Sequence, residues 1–345
     1  MVARLSPALT PRPSGLATAP AATADVAAAP CLIVNPLSFR ASRGLADEAS
    51  AVARAHGAEV MRVDTLDSIG ALVDTLLAQR QRRVIVLGGD GTVREVVDRL
   101  AQLPAGHWLP DLLVLPGGRS NLVAADLVPG ETALATLRRA LAAARDGRWD
   151  AAVVERVPLC VAQEPAPPRY GFVLGGAAVD SVVRRTRDHR YGAVGAFRTS
   201  HFTTPWMLLK LALLGLVGRT GLRSPDLHVD AGAAGSVREP VRLLLATTLL
   251  HRSGSFDPYA SRGSGDLRLT AVTRRARRFW LALPRLLTGR YSKTMNADNG
   301  YLSGSCERVQ IDGLDGYVLD GEPFDTDPTR PVVITPGPRL RFLAP

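Results

Sequence analysis

The chain has 345 residues, 46% of them hydrophobic, and a formal net charge of +10 carried almost wholly by arginine. That length suits two domains and a sizeable core, and the charge suits nucleic acid, anionic lipid or phosphorylated ligands without choosing among them. Three cysteines stand far apart, at 31, 160 and 306, which excludes a disulfide framework or a CxxC metal site and makes a reducing, cytosolic setting the default.

Residues 1–30 are rich in Ala and Pro and read as a disordered tail rather than a signal peptide. From Cys31 strands and helices alternate. Residues 31–34, 59–63, 83–87 and 111–115 read as strands, and 43–56, 66–80, 92–102 and 131–147 as helices. This alternation predicts a Rossmann-like parallel sheet covered on both faces, over residues 31–148.

Past Trp149 the texture changes. Strand-like segments at 151–162, 169–179, 237–250, 265–272, 307–314, 316–324 and 330–337 follow one another through Gly, Pro and Asp turns. Consecutive strands without intervening helices predict a mainly antiparallel β-sandwich domain over 149–335. Helical insertions at about 203–218 and 273–288 interrupt it. Residues 336–345 are expected to return to the first domain. The most apolar stretch, 205–218, is shorter than the ~20 residues a spanning helix needs, so no transmembrane segment is expected.

One junction carries chemistry. Val84–Leu87 is apolar at every position and is followed by Gly88-Gly89-Asp90-Gly91-Thr92. Ligands of open α/β sheets sit at such carboxyl ends. Thr92-Val93-Arg94-Glu95 reads as a capping box, with Thr92 as N-cap and Glu95 at the third helical position, which leaves Asp90 without a capping task. A plain strand–turn–helix junction is the alternative. The loop is neither a Walker A motif nor G-x-G-x-x-G.

Gly88–Thr92, followed by Glu95-Val96-Val97, resembles the GGDGT signature of the diacylglycerol kinase catalytic family, and more distantly NAD kinases and phosphofructokinases. Asn35-Pro36-Leu37-Ser38 resembles that family's NPxSG loop, "LPGGRSNLVAADL" (115–127) its PxGTxN segment, "FDPYAS" (256–261) a later segment and "LDGEPF" (319–324) its DGE motif. The order is the family's, across nearly the whole chain.

The resemblance implies a two-domain kinase, using ATP and Mg²⁺, that phosphorylates a hydroxyl of diacylglycerol or a related lipid in phospholipid metabolism. It implies phosphate contacts from Gly88, Gly89, Gly91 and Thr92, with Asn35, Gly118, Ser120 and Asn121 near the nucleotide. Asp90 would organise the metal or act on the acceptor hydroxyl. Glu322, with Asp320 beside it, would be the general base. For Asp320–Glu322 a plain turn is the alternative.

Three departures stand out. Arg119 occupies the threonine position of PxGTxN, Phe39 the closing glycine of NPxSG, and Gly263 and Ser264 the places of a paired-aspartate metal site. A nucleotide- or lipid-binding protein without turnover, and an NAD kinase-like enzyme, are therefore kept as alternatives.

Arginine concentrates at 184–192 and at 273–291, the second joined to Phe279, Trp280, Leu281, Leu283, Leu286 and Leu287. Such a segment suits a helix lying on an anionic membrane, or an ordinary amphipathic helix with solvated arginines. The expected partners are a lipid substrate and the cytoplasmic face of the inner membrane, with a homodimer left open and nucleic acid not expected.

Overall fold

The computed structural model describes residues 29–63, 65, 68–118, 120–184, 224–250 and 256–345. The tail before residue 29, the helix expected at 203–218, most of the basic run 184–192 and Arg119 lie outside them.

Six strands make the first sheet: β1 (Cys31–Val34), β2 (Glu59–Arg62), β3 (Arg83–Gly88), β4 (Asp111–Pro116), β5 (Val153–Arg156) and the last strand of the chain, β17 (Leu340–Leu343). Their order is β2-β1-β3-β4-β17-β5, parallel except where β5 pairs with β17. β1 and β3 are buried at every position, as apolar runs covered on both faces must be. Helices α1 (Leu45–Ala55), α2 (Ser68–Ala78), α3 (Asp90–Ala101), α4 (Leu122–Leu127) and α5 (Ala133–Arg145) supply the cover. β17 is held by Asp111, whose carboxylate accepts from Arg341 Nε (2.6 Å) and from Trp149 Nε1 (3.2 Å).

α3 begins at Asp90 with Gly89 as N-cap and no side-chain cap, so the capping box expected at Thr92 does not form. Thr92 lies inside the first turn, and its hydroxyl accepts from Asn35 instead.

The second domain is a curled antiparallel sandwich. Its strands are β6 (Leu159–Ala162), β7 (Arg169–Gly171), β8 (Val173–Ala177), β9 (Asp226–Asp230), β10 (Ser236–Thr247), β11 (Leu267–Thr273), β12 (Tyr301–Cys306), β13 (Val309–Asp312), β14 (Gly316–Leu319), β15 (Glu322–Asp325) and β16 (Val332–Pro336). β10 pairs through its first half with β9 and through its second with β8 and β11, so one long strand belongs to both layers. Between them lies one apolar core including Leu159, Leu174, Val229, Leu244, Leu269 and Ile311. A helical segment, residues 178–184, and α6 (Phe279–Leu287) pack on the outer face of the β8–β10–β11 layer. β9 and β12 are not evident as strands from sequence. The Ser303-Gly304-Ser305 run of β12 has little strand propensity and becomes a strand through burial against β11.

The domains meet in a seam. Phe172, between β7 and β8, is fully buried in the first domain's core and makes an edge contact with Phe342 of β17, ring centroids 6.0 Å apart. Asp98 of α3 accepts from Tyr170 N–H (2.6 Å), and Asp126 of α4 accepts from Leu250 N–H (2.8 Å) and Arg156 Nε (2.6 Å). Truncation of Phe342 to Ala opens a cavity at this seam. The expected loss is about 3–5 kcal/mol, read by urea unfolding; a loss under about 1 kcal/mol would mean the seam is not a shared core.

Candidate active site

The loops after β1, β3 and β4 leave adjacent strands at their carboxyl ends, the ligand-binding edge of open α/β sheets. They are tied to one another. Gly89 N–H donates to Ser38 Oγ (3.1 Å), Arg40 N–H to Gly117 O (2.8 Å) and Gly117 N–H to Gly88 O (2.9 Å). Asn35 Nδ2 donates to Thr92 Oγ1 (2.9 Å), and both side chains are buried. Close approach needs bare backbone. A Cβ on Gly118 would stand 2.5 Å from Gly89 Cα, and one on Gly88 would stand 2.6 Å from Thr92 Cβ. Gly118 is therefore required by packing against the neighbouring loop, and Gly88 by packing against the first turn of α3. Gly91 differs: the nearest atom to its would-be Cβ is Glu322 Oε1, at 3.8 Å. The first turn of α3, whose amides have no partner within the helix, presents bare backbone toward that carboxylate.

Asp90 has a task that the sequence does not reveal. Its Oδ2 accepts from Asn121 N–H (2.9 Å) and its Oδ1 from Leu122 N–H (2.8 Å), so the aspartate at the start of α3 caps α4. Burial pushes its carboxyl up from the ordinary aspartate range, and hydrogen bonds from Ser120, Leu122 and Asn121 oppose that shift. Asn121 takes a left-handed conformation (φ 53°), which asparagine tolerates better than most residues. Its side chain closes the loop through Gly118, accepting from Gly118 N–H (2.7 Å) and donating to Gly118 O (3.1 Å).

Asp320 and Gly321 form the two-residue turn between β14 and β15, both at positive φ (49° and 90°), the geometry an Asp-Gly hairpin favours. The turn reading of this motif therefore holds for its first two residues, while Glu322 opens β15. The Asp320 carboxylate accepts from Phe172 N–H (2.9 Å to Oδ2) and Val173 N–H (2.9 Å to Oδ1). Since Phe172 is rooted in the first domain's core, Asp320 fixes the hairpin, and with it Glu322, relative to α3. Burial pushes the Asp320 acid up to about 7, the nearby Asp90 charge adds to the rise, and the two amides oppose it.

Further groups not evident from sequence complete the wall. Phe324 of β15 lies beneath two guanidinium groups, Arg169 at 4.4 Å and the buried Arg94 of α3 at 5.3 Å. Arg94 pairs with Glu95 while its Nε has no hydrogen-bond partner. Both arginines lie near Asp98, whose carboxyl burial pushes up. A helical period alone places Arg94 on α3 and cannot tell that its face meets β15.

Among the described residues no three His, Cys, Asp or Glu side chains gather into a metal cage. Asp90 and Glu322 fit Mg²⁺ only in the mode where one or two carboxylates share the ion with ligand phosphate and water. In the loop where the resembled family carries paired aspartates and this chain does not, Gly263 and Gly265 take φ of 82° and 120°. A Cβ on them would lie 2.2 Å from Ser305 O and 2.4 Å from Cys306 O, so that loop is pressed onto β12.

Residues 30–153 match the family model described as the diacylglycerol kinase catalytic domain. Two crystal structures from Bacillus anthracis str. Sterne share the fold. One, of a candidate diacylglycerol kinase, is 13% identical with TM-score 0.60, covering 91% of this chain and 96% of its own. The other, of a diacylglycerol kinase, is 14% identical with TM-score 0.56, covering 91% and 95%. No curated protein matches the chain.

The Asp320 shift has a sign. With a folded value near 7 against 3.8, the acid favours the native state below about pH 4, and that contribution is lost as pH rises through about 7. Urea unfolding across this window is expected to give a steeper fall in stability for the natural chain than for Asp320→Asn. Equal slopes would contradict the burial of this acid.

Proposed function

We propose that this chain is an ATP- and Mg²⁺-dependent lipid kinase that phosphorylates a hydroxyl of diacylglycerol or a related lipid. The observation that carries the reading is Glu322 Oε1 standing over Gly91 at the first turn of α3. A carboxylate there adjoins the part of the fold suited to phosphate. The family match over residues 30–153 supports phosphoryl transfer as the reaction class.

In this reading the first-turn amides of α3 hold phosphoryl oxygens, and Gly91 keeps side chains out of the way. Bound MgATP supplies the phosphoryl group and the charge that neutralises it. Glu322 hydrogen-bonds the acceptor hydroxyl and takes its proton as the new O–P bond forms and ADP leaves. Asp90 would hold the metal together with phosphate oxygens. Asp320 positions the hairpin. Arg94 and Arg169 set a positive field beside the carboxylates. The chain would work from the cytoplasmic side of the inner membrane, where its acceptor resides.

One observation favours a second reading, nucleotide binding without turnover: the oxygens of Asp90 and Asp320 are already taken by backbone amides. Purified protein incubated with labelled ATP and a lipid panel separates the two. Transfer to a lipid hydroxyl is expected, with kcat lowered about 10²-fold or more in Glu322→Gln. Nucleotide binding by calorimetry without transfer above that variant would leave the second reading standing.

A further inference from the structure

Residues 274–296 take no part in the site described, yet they form the most cationic stretch of the sandwich. They hold Arg274, Arg275, Arg277, Arg278, Arg285, Arg290 and Lys293 and no carboxylate. Among the described residues these six arginines make no ion pair.

α6 runs through the middle of this stretch and divides sharply. Ala282 and Leu286 are buried against the sheet, with Phe279 and Leu287 packed beside them. The opposite face, at spacings of one and four residues, is Trp280, Leu281, Pro284 and Arg285, all exposed, and the exposed Arg277 lies in the turn that precedes the helix. Leu281 is 73% exposed and Trp280 38%. An amphipathic helix of an isolated soluble domain puts polar residues on that side. Here a tryptophan and a leucine are exposed on a stretch whose arginines make no ion pair among the described residues.

The combination selects a partner. Tryptophan favours the boundary between head groups and acyl chains, and leucine the acyl side of it. Arginines around them are drawn to anionic head groups. A single-stranded nucleic acid would meet one aromatic ring rather than a stacking platform. α6 also shares its apolar cluster with the helical segment 178–184, whose Arg184 reaches Phe324 O (2.9 Å) and Asp325 (2.8 Å) on β15, beside Glu322. The exposed face and the candidate site are thus joined through one layer of the sandwich.

We propose that the outer face of α6, comprising Trp280, Leu281, Pro284 and Arg285, together with Arg277 of the preceding turn, docks the chain on an anionic bilayer, with Trp280 and Leu281 entering the head-group boundary. The inference rests on the lipid-kinase reading for its purpose, because the acceptor stays in the bilayer. The binding itself is read independently of catalysis.

Sedimentation with vesicles of phosphatidylcholine, alone or with phosphatidylglycerol, tests it. The natural chain is expected to bind the anionic vesicles only. Trp280→Ala/Leu281→Ala and Arg277→Glu/Arg285→Glu should each weaken that binding by about tenfold or more. Both variants should keep the thermal unfolding midpoint and the activity on short-chain monomeric diacylglycerol, and lose activity on vesicles. Unchanged vesicle affinity in both would overturn the proposal. So would RNA oligonucleotide binding that depends on the same residues while vesicles are ignored. Absence of all lipid phosphorylation would remove the kinase reading and leave the sedimentation result to decide docking.

Discussion

The structure turns on the carboxylate of Asp90. It stands at the start of α3 and caps the start of α4, so the loops after β3 and β4 are clamped by one charged group donated to from the backbone. Charge-assisted bonds of this kind are stronger than neutral ones and hold direction well. The glycine pairs Gly88-Gly89 and Gly117-Gly118 allow the loops to touch, and Asp90 keeps them touching. Asn35 and Thr92 extend the clamp to the loop after β1. Three loops thereby become one rigid rim on which the first turn of α3 is displayed.

The second domain is positioned by the same device. Asp320 fixes its hairpin to the amides of Phe172 and Val173, and Phe172 is sunk in the first domain's core. The two buried aspartates stand near enough for the charge on one to raise the acid of the other. Arg94 tempers that rise at Asp320 electrostatically, and the stacking of Arg94 and Arg169 on Phe324 joins α3 and β7 to β15. Glu322 is the beneficiary: it faces Gly91 because its hairpin is tied to the amides of Phe172 and Val173.

Much of this was legible in the residues. The alternating pattern up to residue 147 marks the parallel sheet, since runs such as Val84–Leu87 are apolar on both faces. Turn-linked strands without helices mark the sandwich. The resemblance to the diacylglycerol kinase catalytic family picks out four segments, at Asn35, Gly88–Thr92, Asn121 and Glu322, and the fold brings all four to one edge. What sequence could not reveal is who bonds whom. Thr92 fits the local pattern of an N-cap and yet spends its hydroxyl on Asn35, 57 residues away, because the helix begins two residues earlier, at Asp90, and takes Thr92 into its first turn. Asp90 looks unemployed for the same reason: its donors belong to another helix. Arg94 and Phe324 lie in segments singled out for other residues and Phe172 in none, and the roles of all three exist only once two domains meet.

The account's central claim is that the clamped rim at α3, faced by Glu322, is a phosphate site. Hydrogen–deuterium exchange with and without MgATP tests it directly. Protection is expected in the amides of residues 88–93 and 117–122, and in the hairpin bearing Glu322. Saturating nucleotide that protects only segments away from this rim, or none at all, would contradict it.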